Sequence, residues 1–109
     1  MIRKKGVIEY PKKGLKILSS IFDKIKSLNG GILLIDYGYK NRNGSDTLQS
    51  LKLHKKNTYY NNVGKADITY LVDFGLLQRI IKKKKLSLSN LVDQSFFLKR
   101  LGIINRAEN

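Results

Sequence analysis

Gly30-Gly31-Ile32-Leu33-Leu34-Ile35-Asp36-Tyr37-Gly38-Tyr39 is the stretch on which the fold turns. Four consecutive aliphatic residues without polar alternation read as a strand buried on both faces, the pattern of a parallel sheet covered by helices. Such a strand needs a neighbour on each edge. The run over 32–37 is therefore expected inside an α/β sheet larger than these residues can build alone. The polar, Gly-containing loop 37–46 follows at the strand's C-terminal end, where open α/β sheets place their ligands.

Upstream, Leu15, Leu18, Ile21, Phe22, Ile25 and Leu28 recur at i, i+3, i+4 spacing and predict an amphipathic helix over 11–28. Lys12, Lys13, Lys16, Lys24 and Lys26 fill its outer face. Pro11 suits the first helical position, and Asn29-Gly30-Gly31 supplies a left-handed stop. Before it, Gly6 to Tyr10 offers at most a short strand. Downstream, 47–53 and 67–72 read as strands and 57–64 as loop. Asp73 is placed to cap a helix over 74–84, and a last helix over 94–101 ends at Gly102. Phe96, Phe97, Leu98 and Leu101 read as core.

The 109 residues suit one domain, and 41% hydrophobic content is enough to form a core. The formal net charge is +14, from 22 Lys and Arg against 8 Asp and Glu. Charge of that size raises a nucleic-acid partner as one alternative, a small basic binding protein. The excess is carried by Lys far more than by Arg, and Lys, Ile and Asn, all abundant here, share A/T-rich codons. Lys82-Lys83-Lys84-Lys85 closes a helix, where Lys meets the negative end of the dipole, so a solvated terminus accounts for it. No specific nucleic acid is expected. Without cysteine there is no disulfide or thiolate metal site, one His leaves few ligands for any metal, and a reducing cytoplasm is the natural compartment. No apolar run approaches bilayer length, so no membrane association is expected.

Further segments recur in a fixed order after the opening stretch: Gly44-Ser45-Asp46-Thr47-Leu48-Gln49, His54, Gly64-Lys65-Ala66-Asp67-Ile68-Thr69, Val72-Asp73-Phe74, then Gln94, Phe97-Leu98, Leu101-Gly102-Ile103 and Arg106-Ala107-Glu108. Taken together they resemble the MidA-like class I SAM-dependent methyltransferases, a family that includes a mitochondrial complex I assembly methyltransferase acting on protein arginine. The resemblance spans roughly 6–108. It implies an α/β fold with a partial Rossmann-like class I methyltransferase sheet, late strands and helices only, as a single partial domain over 1–109. Tyr10 stands where the family commonly has a Ser before the proline, which removes a preferred helix cap.

The family's Gly-rich loop after its first strand has no counterpart among these residues, and no G-x-G-x-x-G follows any candidate strand. The resemblance therefore implies an internal to C-terminal piece of such an enzyme. SAM serves the intact relatives, while this chain alone is expected to bind no cofactor and to be inactive. A complementary N-terminal methyltransferase chain is the expected partner, which also leaves a split-enzyme subunit as an alternative. Asp36 and Asp67 are the catalytic candidates, placed to hold or deprotonate a cationic acceptor. Tyr37, Tyr39, His54 and Asp73 are the substrate-binding candidates. Each also has a structural reading: packing for the tyrosines, a surface position for the lone His54, and the helix cap for Asp73.

Overall fold

The computed structural model describes residues 6–108. Helix α1 (Lys12–Ser27) begins one residue after Pro11 and, with Tyr10 preceding it, has no side-chain cap. Its apolar stripe buries Leu15 and Phe22, the latter only 1% exposed. The chain stays bonded back into the helix past its end, the Leu28 amide donating to the Lys24 carbonyl at 3.0 Å and the Gly30 amide to the Ile25 carbonyl at 2.9 Å. Asn29 then takes the left-handed conformation, so the predicted stop operates through Asn.

The run 32–36 is not a strand. Ile32, Leu33, Leu34 and Ile35 are exposed, Leu33 to 65% and Ile35 to 67%, and no backbone ladder reaches them. Pairing begins only where a second backbone comes alongside. β1 (Gly38–Tyr39) lies parallel to β5 (Val72–Asp73), with Gly38 opposite Val72 and Tyr39 opposite Asp73. The Val72 amide extends this ladder by one bond, donating to the Tyr37 carbonyl at 2.9 Å. Among the described residues nothing else offers main-chain groups to 32–36, which is why a strand-like sequence there carries no sheet. Residues 6–10 likewise form no strand.

Between the two parallel strands the chain makes a three-stranded antiparallel excursion in the order β3-β2-β4: β2 (Gln49–Lys52), β3 (Lys55–Asn57) and β4 (Asp67–Thr69). The predicted strand 67–72 is thus two strands in two sheets, with Tyr70 and Leu71 crossing between them. β2 and β3 form a hairpin whose turn residues Leu53 and His54 both have positive φ, +50° and +61°. Positive φ at both central positions is the condition for the turn that matches strand twist.

Gly38 and Gly75 are the close-approach positions. A Cβ on Gly38 would collide with the Val72 carbonyl and the Phe74 ring, and one on Gly75 with the Lys40 carbonyl. Helix α2 (Phe74–Lys83) leaves β5 directly and buries Gly75, Leu77 and Ile81. Its end is fastened to the end of α1: Lys84 pairs with Asp23, and Lys26 Nζ donates to the Lys84 carbonyl at 3.2 Å. Leu15 and Phe22 of α1 with Leu77 and Ile81 of α2 are the buried hydrophobic core.

Helix α3 (Gln94–Arg100) is capped by Asp93 and followed, past the left-handed Gly102, by a further helix α4 (Ile103–Ala107) that the sequence reading lacked. Neither buries a residue. Phe96 and Leu101 are exposed, contrary to the core reading, and the Arg100 guanidinium lies over the Phe96 ring at 5.9 Å.

Candidate functional site

Three predicted residues meet at the C-terminal end of the parallel pair. Asp36, Tyr39 and Asp73 line one cleft of about 330 Å³, whose floor is apolar surface from α1 and α2. Asp36 is exposed at its mouth, and its Oδ1 accepts from the Tyr37 amide at 2.8 Å. Asp73 caps α2, Oδ1 accepting from the Leu76 amide at 2.7 Å. Tyr39 is half-buried. Burial raises its phenol above the ordinary value, Asp73 and Glu9 push the same way against Arg42, and it remains an O–H donor at neutral pH.

Glu9 also lines this cleft and was not singled out from the sequence. It is tied to Thr47, whose amide donates to Oε1 at 2.8 Å and whose hydroxyl donates to the carboxylate at 2.8–2.9 Å. Thr47 Oγ1 in turn accepts from the Leu71 amide at 3.0 Å, so one hydroxyl holds the segment before α1 to the crossing between the sheets. Burial raises the Glu9 carboxyl, yet the Thr47 side chain and backbone, the Leu48 backbone and the Arg42 charge together bring it below its ordinary value. No periodicity or motif marks a lone Glu in an unstructured segment. The only signal was its place among basic and apolar residues.

The other candidates lie apart from this cleft. Tyr37 is 84% exposed and outside it, His54 sits at the β2–β3 turn, and Asp67 is exposed on β4, an outer strand of the antiparallel sheet. Among the described residues no three His, Asp or Glu side chains come together as metal ligands, and no helix is long and apolar enough to cross a membrane.

Helix α2 follows the strand-to-helix turn Val72–Gly75, the kind of turn that cradles a cofactor when it belongs to the first βα unit of such a fold. Here the helix N-terminus is taken by the Asp73 carboxylate, and the face of Gly75 by the Lys40 carbonyl. The residues at this turn do not fit SAM.

Residues 2–92 match the sequence model of a family of S-adenosyl-L-methionine-dependent methyltransferases. The chain belongs to this methyltransferase family. Its relatives include the mitochondrial protein arginine methyltransferase NDUFAF7 homolog of Caenorhabditis elegans, 33% identical over 90 residues that make up 83% of this chain and 21% of the relative. They also include NDUFAF7 of Xenopus tropicalis, 34% identical over 87 residues, 80% of this chain and 20% of the relative. NDUFAF7 of Mus musculus is 35% identical over 101 residues, 93% of this chain and 22% of the relative. The chain thus spans about a fifth of the length of the curated relatives it matches. No solved structure matches it significantly. Its mixed helices and sheets are consistent with an α/β methyltransferase, and SAM is the cofactor of intact members of the family.

Proposed function

We propose that this methyltransferase-family chain forms the acceptor-facing part of a catalytic domain whose SAM-binding half is a complementary N-terminal polypeptide. On this reading the isolated chain neither binds SAM nor transfers a methyl group, and 32–39 and β5 are late strands of a Rossmann-like sheet completed on assembly. One observation carries the proposal. The aliphatic run 32–35 has unpaired backbone and exposed side chains, yet it leads straight into Asp36 and the paired rim at 38–39. A strand sequence without a sheet, ending in a carboxylate at a cleft, fits a surface made to be covered by neighbouring strands.

The acceptor proposed is a protein arginine, as the names of the relatives have it. The bound cofactor supplies the methyl group, and the residues here act on the acceptor. The Asp36 carboxylate pairs with a guanidinium, fixes the orientation of the target nitrogen and receives its proton, while Tyr39 and Asp73 wall the cleft.

Calorimetric titration of the 109-residue chain with SAM should give no binding heat, and a saturable heat would refute the proposal. Co-expression with the N-terminal part of the Caenorhabditis elegans relative should restore transfer of labelled methyl to an arginine peptide. In that assembly Asp36→Asn should lower turnover roughly 100-fold or more, the usual scale of a positioned acid–base group. Unchanged turnover removes Asp36 from the role.

A further inference from the structure

A second cleft, of about 590 Å³, opens between the loop after β1 and the β2–β3 hairpin. Its lining is unlike the rest of this basic protein. The carboxamides of Asn41, Asn43, Gln49 and Asn57 and the rings of Tyr39 and Tyr59 surround it, and its two charged residues, Asp46 and Lys56, offset each other. In a chain of net charge +14, a cleft with balanced charge is not a phosphate track. Each carboxamide offers both donors and an acceptor, the combination that matches the alternating N–H and C=O of an extended main chain.

The walls are fixed before any ligand arrives. The two N–H groups of Asn57 Nδ2 are shared among the buried Ser50 hydroxyl at 3.1 Å and the Thr58 and Asn61 carbonyls at 2.9 and 2.8 Å. Asn62 Nδ2 returns a bond to Asn57 Oδ1 at 3.1 Å, and the Tyr59 hydroxyl donates to the Leu48 carbonyl at 2.6 Å. By contrast the side chains of Asn41 and Gln49 make no hydrogen bond among the described residues and are free for a ligand. Tyr39 lines this cleft and the carboxylate-bearing one, so the two are contiguous.

We infer that the polar cleft binds the main chain of an extended peptide beside its acceptor residue, leaving the acceptor side chain to reach past Tyr39 towards Asp36. The inference rests on the acceptor-facing reading above and adds to it where the flanking polypeptide lies and why its sequence matters little. The anchored Asn57 and Tyr59 limit the ordering cost of such binding to the free Asn41 and Gln49 side chains.

The test is fluorescence anisotropy of the 109-residue chain with a labelled heptapeptide of Gly, Ser and Ala around a central Arg. Two further peptides carry either N-methyl groups on the amides flanking the Arg or norleucine in its place. N-methylation should weaken binding at least ten-fold, because each lost hydrogen bond is worth about five-fold. The norleucine peptide should still bind and still be sensitive to N-methylation. Gln49→Ala and Asn41→Ala should each weaken the parent peptide by about five-fold with an unchanged circular dichroism spectrum.

No binding of the parent peptide, equal affinity for the N-methylated one, or complete loss with norleucine would each overturn the inference, and the peptide comparisons hold even if a variant misfolds. Failure of methyl transfer in the assembled enzyme, with N-methyl sensitivity intact, would instead defeat the methyltransferase reading and leave this site standing.

Discussion

Thr47 shows how one side chain joins parts that are far apart in sequence. Its hydroxyl donates to Glu9 and accepts from the Leu71 amide, so Thr47→Val strips a donor from a carboxylate and an acceptor from an amide together. Local opening is read residue by residue in amide exchange, and the Leu71 amide should exchange about ten-fold faster in this variant. Glu9 adds a pH dependence with a definite sign. Its carboxyl lies lower folded than unfolded, so its contribution is complete above the ordinary carboxylate range and is lost as pH falls through the folded value. Protection at the Thr47 amide, after correction for intrinsic exchange, should therefore fall on acidification, and Glu9→Gln should flatten that fall. An unchanged acid limb would show that the carboxylate does not hold this junction. Gly38 gives the steric counterpart. A methyl group there meets the Val72 carbonyl and the Phe74 ring, so Gly38→Ala should cost about 1–3 kcal/mol by overpacking and release the Val72 amide first.

At the scale of elements, what was legible follows from how local each signal is. α1 was placed to within one residue because its stripe lies inside it and the proline and stop directly flank it, and Asp73 was readable as a cap because the bond it accepts is three residues away. The β2–β3 hairpin was not readable. Leu53 and His54 adopt the left-handed conformation without the Asn-Gly or Asp-Gly signature, so register in the hairpin is imposed by pairing and by the Asn57 network. The run 32–35 carried a clear strand pattern, but a strand exists only with a partner, and the pattern holds no information on where that partner is. Glu9 and the carboxamide cleft escaped notice because their residues are gathered by tertiary folding from segments that are separately unremarkable polar stretches. The hairpin supplies its own test. His54→Gly removes a side chain from a left-handed position and should slow exchange of the Ser50 and Asn57 amides by about two- to five-fold. It should leave methyl transfer in the assembled enzyme unchanged, and a loss of transfer would return His54 to the site.

At the scale of the molecule, the chain is open. Its accessible surface is 10093 Å², against roughly 6,200 Å² for a compact monomer of this mass. Its radius of gyration is 17.7 Å, where about 13 Å is usual for 100 residues. Among the described residues four buried hydrophobic side chains stand against a long succession of exposed ones, and the exposed set includes 32–35. Apolar surface of that extent next to unpaired backbone is a template for association. The isolated chain should therefore bind a hydrophobic dye, lose its helical signal over a broad temperature range, and elute larger than a monomer under light scattering. Leu33→Lys separates a cause from a coincidence. Leu33 is 65% exposed and outside the buried core, so the charge should cost the fold little while it reduces self-association. In the assembly proposed above the same position would be the middle of a covered strand, so Leu33→Lys should abolish co-purification of the complementary chain. A sharp cooperative melt of a wild-type monomer would refute the open-surface account. Intact assembly of the Leu33→Lys variant would show that the covering strands lie elsewhere.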